Sequence, residues 1–125
     1  MNKEKYEPYK NLGNAIVAQA AADYREYSYQ RKWCDILITN AKKRLADSSV
    51  ARNTKLVRRI KRRIESLEDK SMELYREVYR LERFFLSEWF LLLSDIDGKT
   101  LLSKLQREVQ SGGEINDDTG VYPKN

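Results

Sequence analysis

Apolar residues recur at alternating steps of three and four through the middle of the chain. The series is Val57, Ile60, Ile64, Leu67, Ser71, Leu74, Val78, Leu81 and Phe85. This spacing predicts one long amphipathic helix over residues 50–93, with charged side chains at most other positions. Such a helix would be roughly 65 Å long. Because an isolated helix gains its stability mainly from packing its apolar stripe, this one requires a partner.

The upstream half of the chain supplies that partner. The same rhythm runs through Val17, Ala20, Tyr24, Tyr27, Arg31, Cys34, Ile38, Ala41 and Leu45. We predict a helix over residues 14–46, with Asn14 as its N-cap and residues 47–49 as the connection to the next helix. A connection this short makes neighbouring helices antiparallel. The predicted fold is therefore all-α, with a long antiparallel coiled-coil helical hairpin.

A turn centred near Ser48 would set the register of the hairpin. Ile38 would then lie opposite Val57 and Ile60. Arg31 falls in the apolar stripe, where an unpaired charge is costly. We expect it to pair with a glutamate flanking the opposite stripe, Glu65 or Glu68, although a binding role is the alternative. The single cysteine, Cys34, is interpreted as a reduced, buried core residue.

The second helix outruns the first and ends in an aromatic segment. Residues 95–97 and Gly98 break it, and a short amphipathic third helix over residues 99–109 would fold back over the aromatic end. We therefore expect Phe85, Trp89 and Phe90 to be mainly buried, and three N-terminal residues to pack there too: Tyr6, Tyr9 and Leu12. Residues 1–109 would form a single helical domain, and residues 110–125, which lack periodicity, a flexible tail.

The residue types present argue against an enzyme. The chain has no histidine, which removes the commonest general base and metal ligand and excludes Ser-His-Asp and Cys-His arrangements. The Asp95-x-Asp97-Gly98 segment does not fit a calcium loop, because Leu93 and Lys104 would occupy ligand positions. We expect neither enzymatic activity nor a cofactor. The longest apolar run, residues 89–93, is far shorter than the roughly 20 residues of a membrane span, and a cytoplasmic location is expected.

Charge is distributed unevenly along the chain. The net charge is +5 overall, but residues 42–63 contain ten basic residues and a single acid, Asp47, whereas residues 64–97 contain four basic and nine acidic residues. The hairpin would place the basic segment at one tip. Basic clusters attract phosphates, so the candidate binding residues are Lys42, Lys43, Arg44, Arg52, Lys55, Arg58, Arg59, Arg62 and Arg63. A solvated helix face is the alternative reading.

Two segments resemble a family of small proteins of unassigned function from bacterial phages and integrative elements. The first runs from Ile16 to Arg25 and reads IVAQAAADYR, and the second runs from Glu82 to Leu105 and begins ERFFLSEWF. The resemblance covers roughly a third of the chain. It implies a compact helical head without enzymatic activity, to which this chain adds the long charged arm between the two segments.

Three functions follow as hypotheses. The first is a non-enzymatic binding module of mobile-element origin, whose basic tip binds nucleic acid or a nucleic-acid-associated protein of the host. The second is a phage-type inhibitor of a host defence nuclease, comparable to an anti-CRISPR protein. The third is a structural protein that forms a homodimer through the same heptads.

Overall fold

The computed structural model describes residues 3–112, with side chains from residue 11 onwards. Every element in this part of the chain is a helix. They are α1 (Lys3–Ala46), α2 (Ser48–Ala51), α3 (Thr54–Phe85), α4 (Glu88–Leu93) and α5 (Gly98–Ser111). The all-α class is confirmed. The predicted tail lies outside the described residues from residue 113 on, and its first two residues belong to α5.

The two long helices α1 and α3 pack along each other as an antiparallel hairpin. Near one end the Tyr24 hydroxyl donates to Glu82 Oε2 at 3.1 Å, and near the other Lys42 Nζ lies 3.6 Å from Glu68 Oε1. Residues near the start of α1 therefore lie beside residues near the end of α3, and residues near the end of α1 lie beside the start of α3. The predicted helical hairpin is confirmed.

The connection is longer than predicted, and this shifts the register. The Asp47 carboxylate accepts a hydrogen bond from Ser49 N and starts α2, while Asn53 Oδ1 accepts from Leu56 N and starts α3. An extra helical turn therefore separates the long helices. Arg31 consequently does not reach Glu65 or Glu68, and its guanidinium instead lies 4.6 Å from the centre of the Tyr75 ring. The predicted ion pair is wrong.

Helix α1 begins earlier than predicted. It starts at Lys3, so Asn14 lies inside the helix and does not cap it. At Gly13 the helix passes very close to α4, because a Cβ built on Gly13 would lie 2.1 Å from the carbonyl oxygen of Leu93. The missing side chain lets the backbone of α1 contact the end of α4 closely. Leu12, next to Gly13, is 60% exposed. The expectation that Leu12 packs into the head is therefore wrong.

The helix predicted over residues 50–93 is interrupted at Leu86 and Ser87. The Ser87 hydroxyl donates to Phe84 O at 2.7 Å and accepts from Phe90 N at 3.3 Å, so it ends α3 and caps α4. The change of direction turns Phe90 inwards against Phe84 and Phe85, with ring centres 5.7 and 5.8 Å apart.

Among the described residues, the head is the larger of two apolar clusters. It is formed by the end of α3, α4, α5 and the facing part of α1, and its fully buried side chains are Phe85, Phe90 and Leu105. Burial was predicted correctly for the two phenylalanines. It was wrong for Trp89, which is 65% exposed because it lies about 100° around α4 from Phe90. Cys34 is buried as expected, and burial raises the pKa of its thiol.

Candidate nucleic-acid interface

A small apolar cluster holds together the end of the hairpin opposite the head. Ala41 on α1 packs with Ile60 and Ile64 on α3, and four partly buried residues close the cluster: Ile38, Leu45, Val50 and Leu56. The last turn of α1 and the first turns of α3 are thereby fixed side by side. We call this end of the molecule, residues 41–63, the basic tip.

The basic tip brings together all nine candidate residues from the sequence. Three lie in the last turns of α1, one follows α2, and five lie in the first three turns of α3. Every one of them is exposed: Lys42, Lys43, Arg44, Arg52, Lys55, Arg58, Arg59, Arg62 and Arg63. Lys61, which is not among the nine candidates, is exposed in the same segment. Its position within the run of basic residues is the sequence signal that identifies it.

The outermost cations on α3 form a stripe. Lys55, Arg58 and Arg62 are separated by three and four residues, which places them on one face of the helix. The buried residues Ile60 and Ile64 point to the other face. The stripe is about 10 Å long at 1.5 Å per residue. Since the apolar contacts and the cations occupy opposite faces, the charges are presented without disturbing the packing.

Few acidic groups neutralise these cations. Lys42 pairs with Glu68 at 3.6 Å, and Arg63 contacts another group within the chain. The other seven candidates form no ion pair with the part of the chain that the structure describes. Asp47 is the only acid of the tip. Its pKa is lowered by hydrogen bonds from the Ser49 hydroxyl and backbone, and its charge is directed at the start of α2.

Helix polarity does not decide the potential at the tip. The positive end of the α3 dipole and the negative end of the α1 dipole both lie there, because the two helices are antiparallel. The attraction for anions therefore comes from the exposed side chains. The arrangement suits phosphate groups in a chain, which several cations can contact at once.

The aromatic residues of α1 whose side chains the structure describes do not form a stacking platform for bases. Tyr24 is buried, and its hydroxyl donates to Glu82. Burial, followed by the charge of Glu82, raises the pKa of Tyr24 to about 12. Tyr27, Tyr29 and Trp33 are partly buried. They lie away from the tip, in the part of α1 that faces the head and the middle of α3, and we interpret them as packing residues.

Two open grooves lie nearer the head. One, of about 540 Å³, separates α1 from the segment that joins α4 to α5. The other, of about 490 Å³, contains Arg31, whose Nε is buried and has no hydrogen-bond partner in the described structure. Among the described residues no group of three or more carboxylates or thiols is placed to hold a metal ion. No helix of this part is long and apolar enough for a membrane crossing.

Comparisons with known proteins give no further guidance. No family model matches the chain, and neither the curated proteins nor the solved structures contain a match. Function is therefore inferred from the surface itself.

Proposed function

We propose that this protein is a non-enzymatic binding module whose basic tip binds the phosphate backbone of nucleic acid. One observation carries the proposal: seven exposed cations at one end of the hairpin have no ion pair within the described chain, and the single acid among them is engaged at the start of α2. Binding through phosphates releases counterions and needs no contact with base edges. The proposed interaction is therefore insensitive to sequence.

The hairpin is proposed to act as an arm that carries the tip. The three-four spacing of apolar residues favours coiled-coil packing between α1 and α3. The 32 residues of α3 span about 48 Å, which separates the tip from the head. An origin in a mobile element is part of the proposal and rests only on the resemblance of the two segments described above.

The test compares two double variants that remove the same charge from the same helix. Arg58→Gln with Arg62→Gln removes two cations of the stripe, and Arg76→Gln with Arg83→Gln removes two exposed arginines outside the tip. Arg63 stays in place because it is engaged within the chain. Affinity for a duplex DNA of arbitrary sequence is measured by fluorescence anisotropy over a series of salt concentrations, with circular dichroism as the control for folding.

Engagement of about six phosphates predicts a slope of roughly -5 in log K against log salt concentration. The tip variant should reduce the magnitude of that slope by about 2, because each lost cation releases one phosphate contact. The control variant should keep the slope of the wild type. Equal losses in both variants, or no binding by the wild type at low salt, would refute the proposal. The second result would make the nuclease inhibitor the better hypothesis.

A further inference from the structure

The outward face of α4 is apolar, and none of the described residues covers it. Within α4, Phe90 is fully buried. Leu92 is 80% exposed, and Trp89 and Leu91 are exposed as well. Leu86, just before the helix, and Ile96, just after it, are exposed as well. A contiguous group of exposed apolar side chains marks an interaction surface more often than single exposed apolar residues do.

Two contacts fix this surface at the head. Phe90 anchors α4 in the core, and its neighbours Trp89 and Leu91, about 100° away around the helix on either side, are exposed. The backbone of α1 at Gly13 lies against the carbonyl of Leu93 and brings the exposed Leu12 to the same end of the molecule. We call this surface the α4 patch, and its members are Leu12, Leu86, Trp89, Leu91, Leu92 and Ile96.

The charges around the α4 patch argue against an anionic ligand. Residues 86–98 contain three acids, Glu88, Asp95 and Asp97, and no basic residue. Nucleic acid and negatively charged lipid would be repelled there. The first cation that follows is Lys99, which is exposed. The segment and its border thus carry both signs of charge, so opposite charges of two copies can pair across a two-fold axis.

The area of the α4 patch matches a protein dimer. At ordinary side-chain sizes, the exposed fractions of its six residues amount to roughly 700 Å². A standard interface buries about 800 Å² on each partner. The heptad residues cannot serve this purpose, since Ile60, Ile64, Leu74 and Val78 are already buried within the hairpin. We propose that two copies of this chain form a homodimer through the α4 patch, with Trp89 and Leu92 at the centre.

This dimer would change what the basic tip can do. The tip lies at the end of the hairpin that is opposite the head, so a dimer joined at its heads carries two separate tips. If the function proposed above is correct, one dimer can hold two segments of nucleic acid, and binding of the first raises the effective concentration for the second. The dimer itself does not depend on that function.

The experiment measures the mass of the protein without nucleic acid. Sedimentation equilibrium over micromolar to submillimolar concentrations should give twice the 14.8 kDa of one chain. Leu92→Asp should weaken dimerisation by about thirtyfold or more, because a charge would replace an apolar centre. Met72→Asp alters an equally apolar residue that is exposed on α3, away from the head. It should leave the dimer intact, and both variants should keep the helical content of the wild type.

Added salt separates this proposal from the previous one. High salt should preserve or strengthen a dimer held by apolar contacts, whereas it should weaken nucleic-acid binding. Leu92→Asp should still bind DNA through its single tip, so failure of one proposal leaves the other testable. A wild-type protein that stays monomeric at every concentration overturns the dimer. Trp89 fluorescence in a Trp33→Phe background would then tell whether the patch is covered by the protein's own chain or left free for another protein.

Discussion

The two ends of the hairpin differ in both core and surface. At the basic tip, three buried residues, Ala41, Ile60 and Ile64, are enough to hold two helices together. At the head, ten buried residues from four helices form a continuous core, and further apolar side chains remain on the surface. The tip exposes mostly cations, and the α4 patch exposes apolar groups beside acids. The comparison suggests that the head provides stability and the tip provides charge.

The largest effect should come from the core of the head. Phe90→Ala should lower the free energy of unfolding by about 3 to 5 kcal/mol, because it leaves a cavity at a fully buried site. Trp89→Ala removes a larger side chain from the adjacent position, but that side chain is mostly exposed. Its effect should be below about 1 kcal/mol in the monomer. Urea unfolding at a concentration where the protein is monomeric measures the loss of stability in both variants. Comparable losses would contradict the assignment of Phe90 to the core and Trp89 to the surface.

The contact between α1 and α4 offers a second test. Gly13→Ala should destabilise the protein by about 3 kcal/mol, because the new Cβ would collide with the Leu93 carbonyl oxygen, a backbone atom that cannot rotate away. The sign of the change in unfolding free energy shows whether Gly13 is packed against α4. In an unpacked helix the same change would stabilise by about 1 kcal/mol. Denaturant midpoints decide between the two signs, and a stabilised variant would mean that α4 is not seated on α1.

The buried hydroxyl of Tyr24 predicts a smaller, pH-dependent effect at the head. Its pKa is raised to about 12 from an ordinary value of 10.0. Between these values the unfolded chain loses the phenolic proton and the folded chain keeps it, so stability should fall as the pH rises. The contribution is on the order of 2 kcal/mol, fully present below pH 10 and lost by about pH 12.

Tyr24→Phe serves as the control for this effect. The variant lacks the hydrogen bond to Glu82 and should be less stable by about 1 kcal/mol at neutral pH. It should also lose less stability than the wild type at alkaline pH. The difference between the two proteins should therefore shrink or reverse from about pH 9 to about pH 12. If the stabilities of the wild type and the variant changed in parallel with pH, the Tyr24 hydroxyl would not be held in its buried environment.

The sequence was sufficient to determine the hairpin and the composition of the basic tip. Two apolar stripes of the same period, joined by a short connection, have few ways to bury each other except side by side and antiparallel. The candidate cations lie within 22 consecutive residues, 42–63, on both sides of that connection. Any turn there brings them to the same end, and their positions outside the stripe leave them exposed. Neither conclusion depends on the exact register.

Register and the head required the tertiary structure. The caps at Asp47 and Asn53 insert the extra turn α2, which places Arg31 against Tyr75 instead of a glutamate. Residues 89–93 are all apolar, so their pattern gave no indication of which would be buried. That choice was made by the break at Ser87, which rotates α4 so that Phe90 enters the core and Trp89 does not. A uniformly apolar segment has no preferred inner face until another element packs against it, and the contact with α1 at Gly13 provides that constraint.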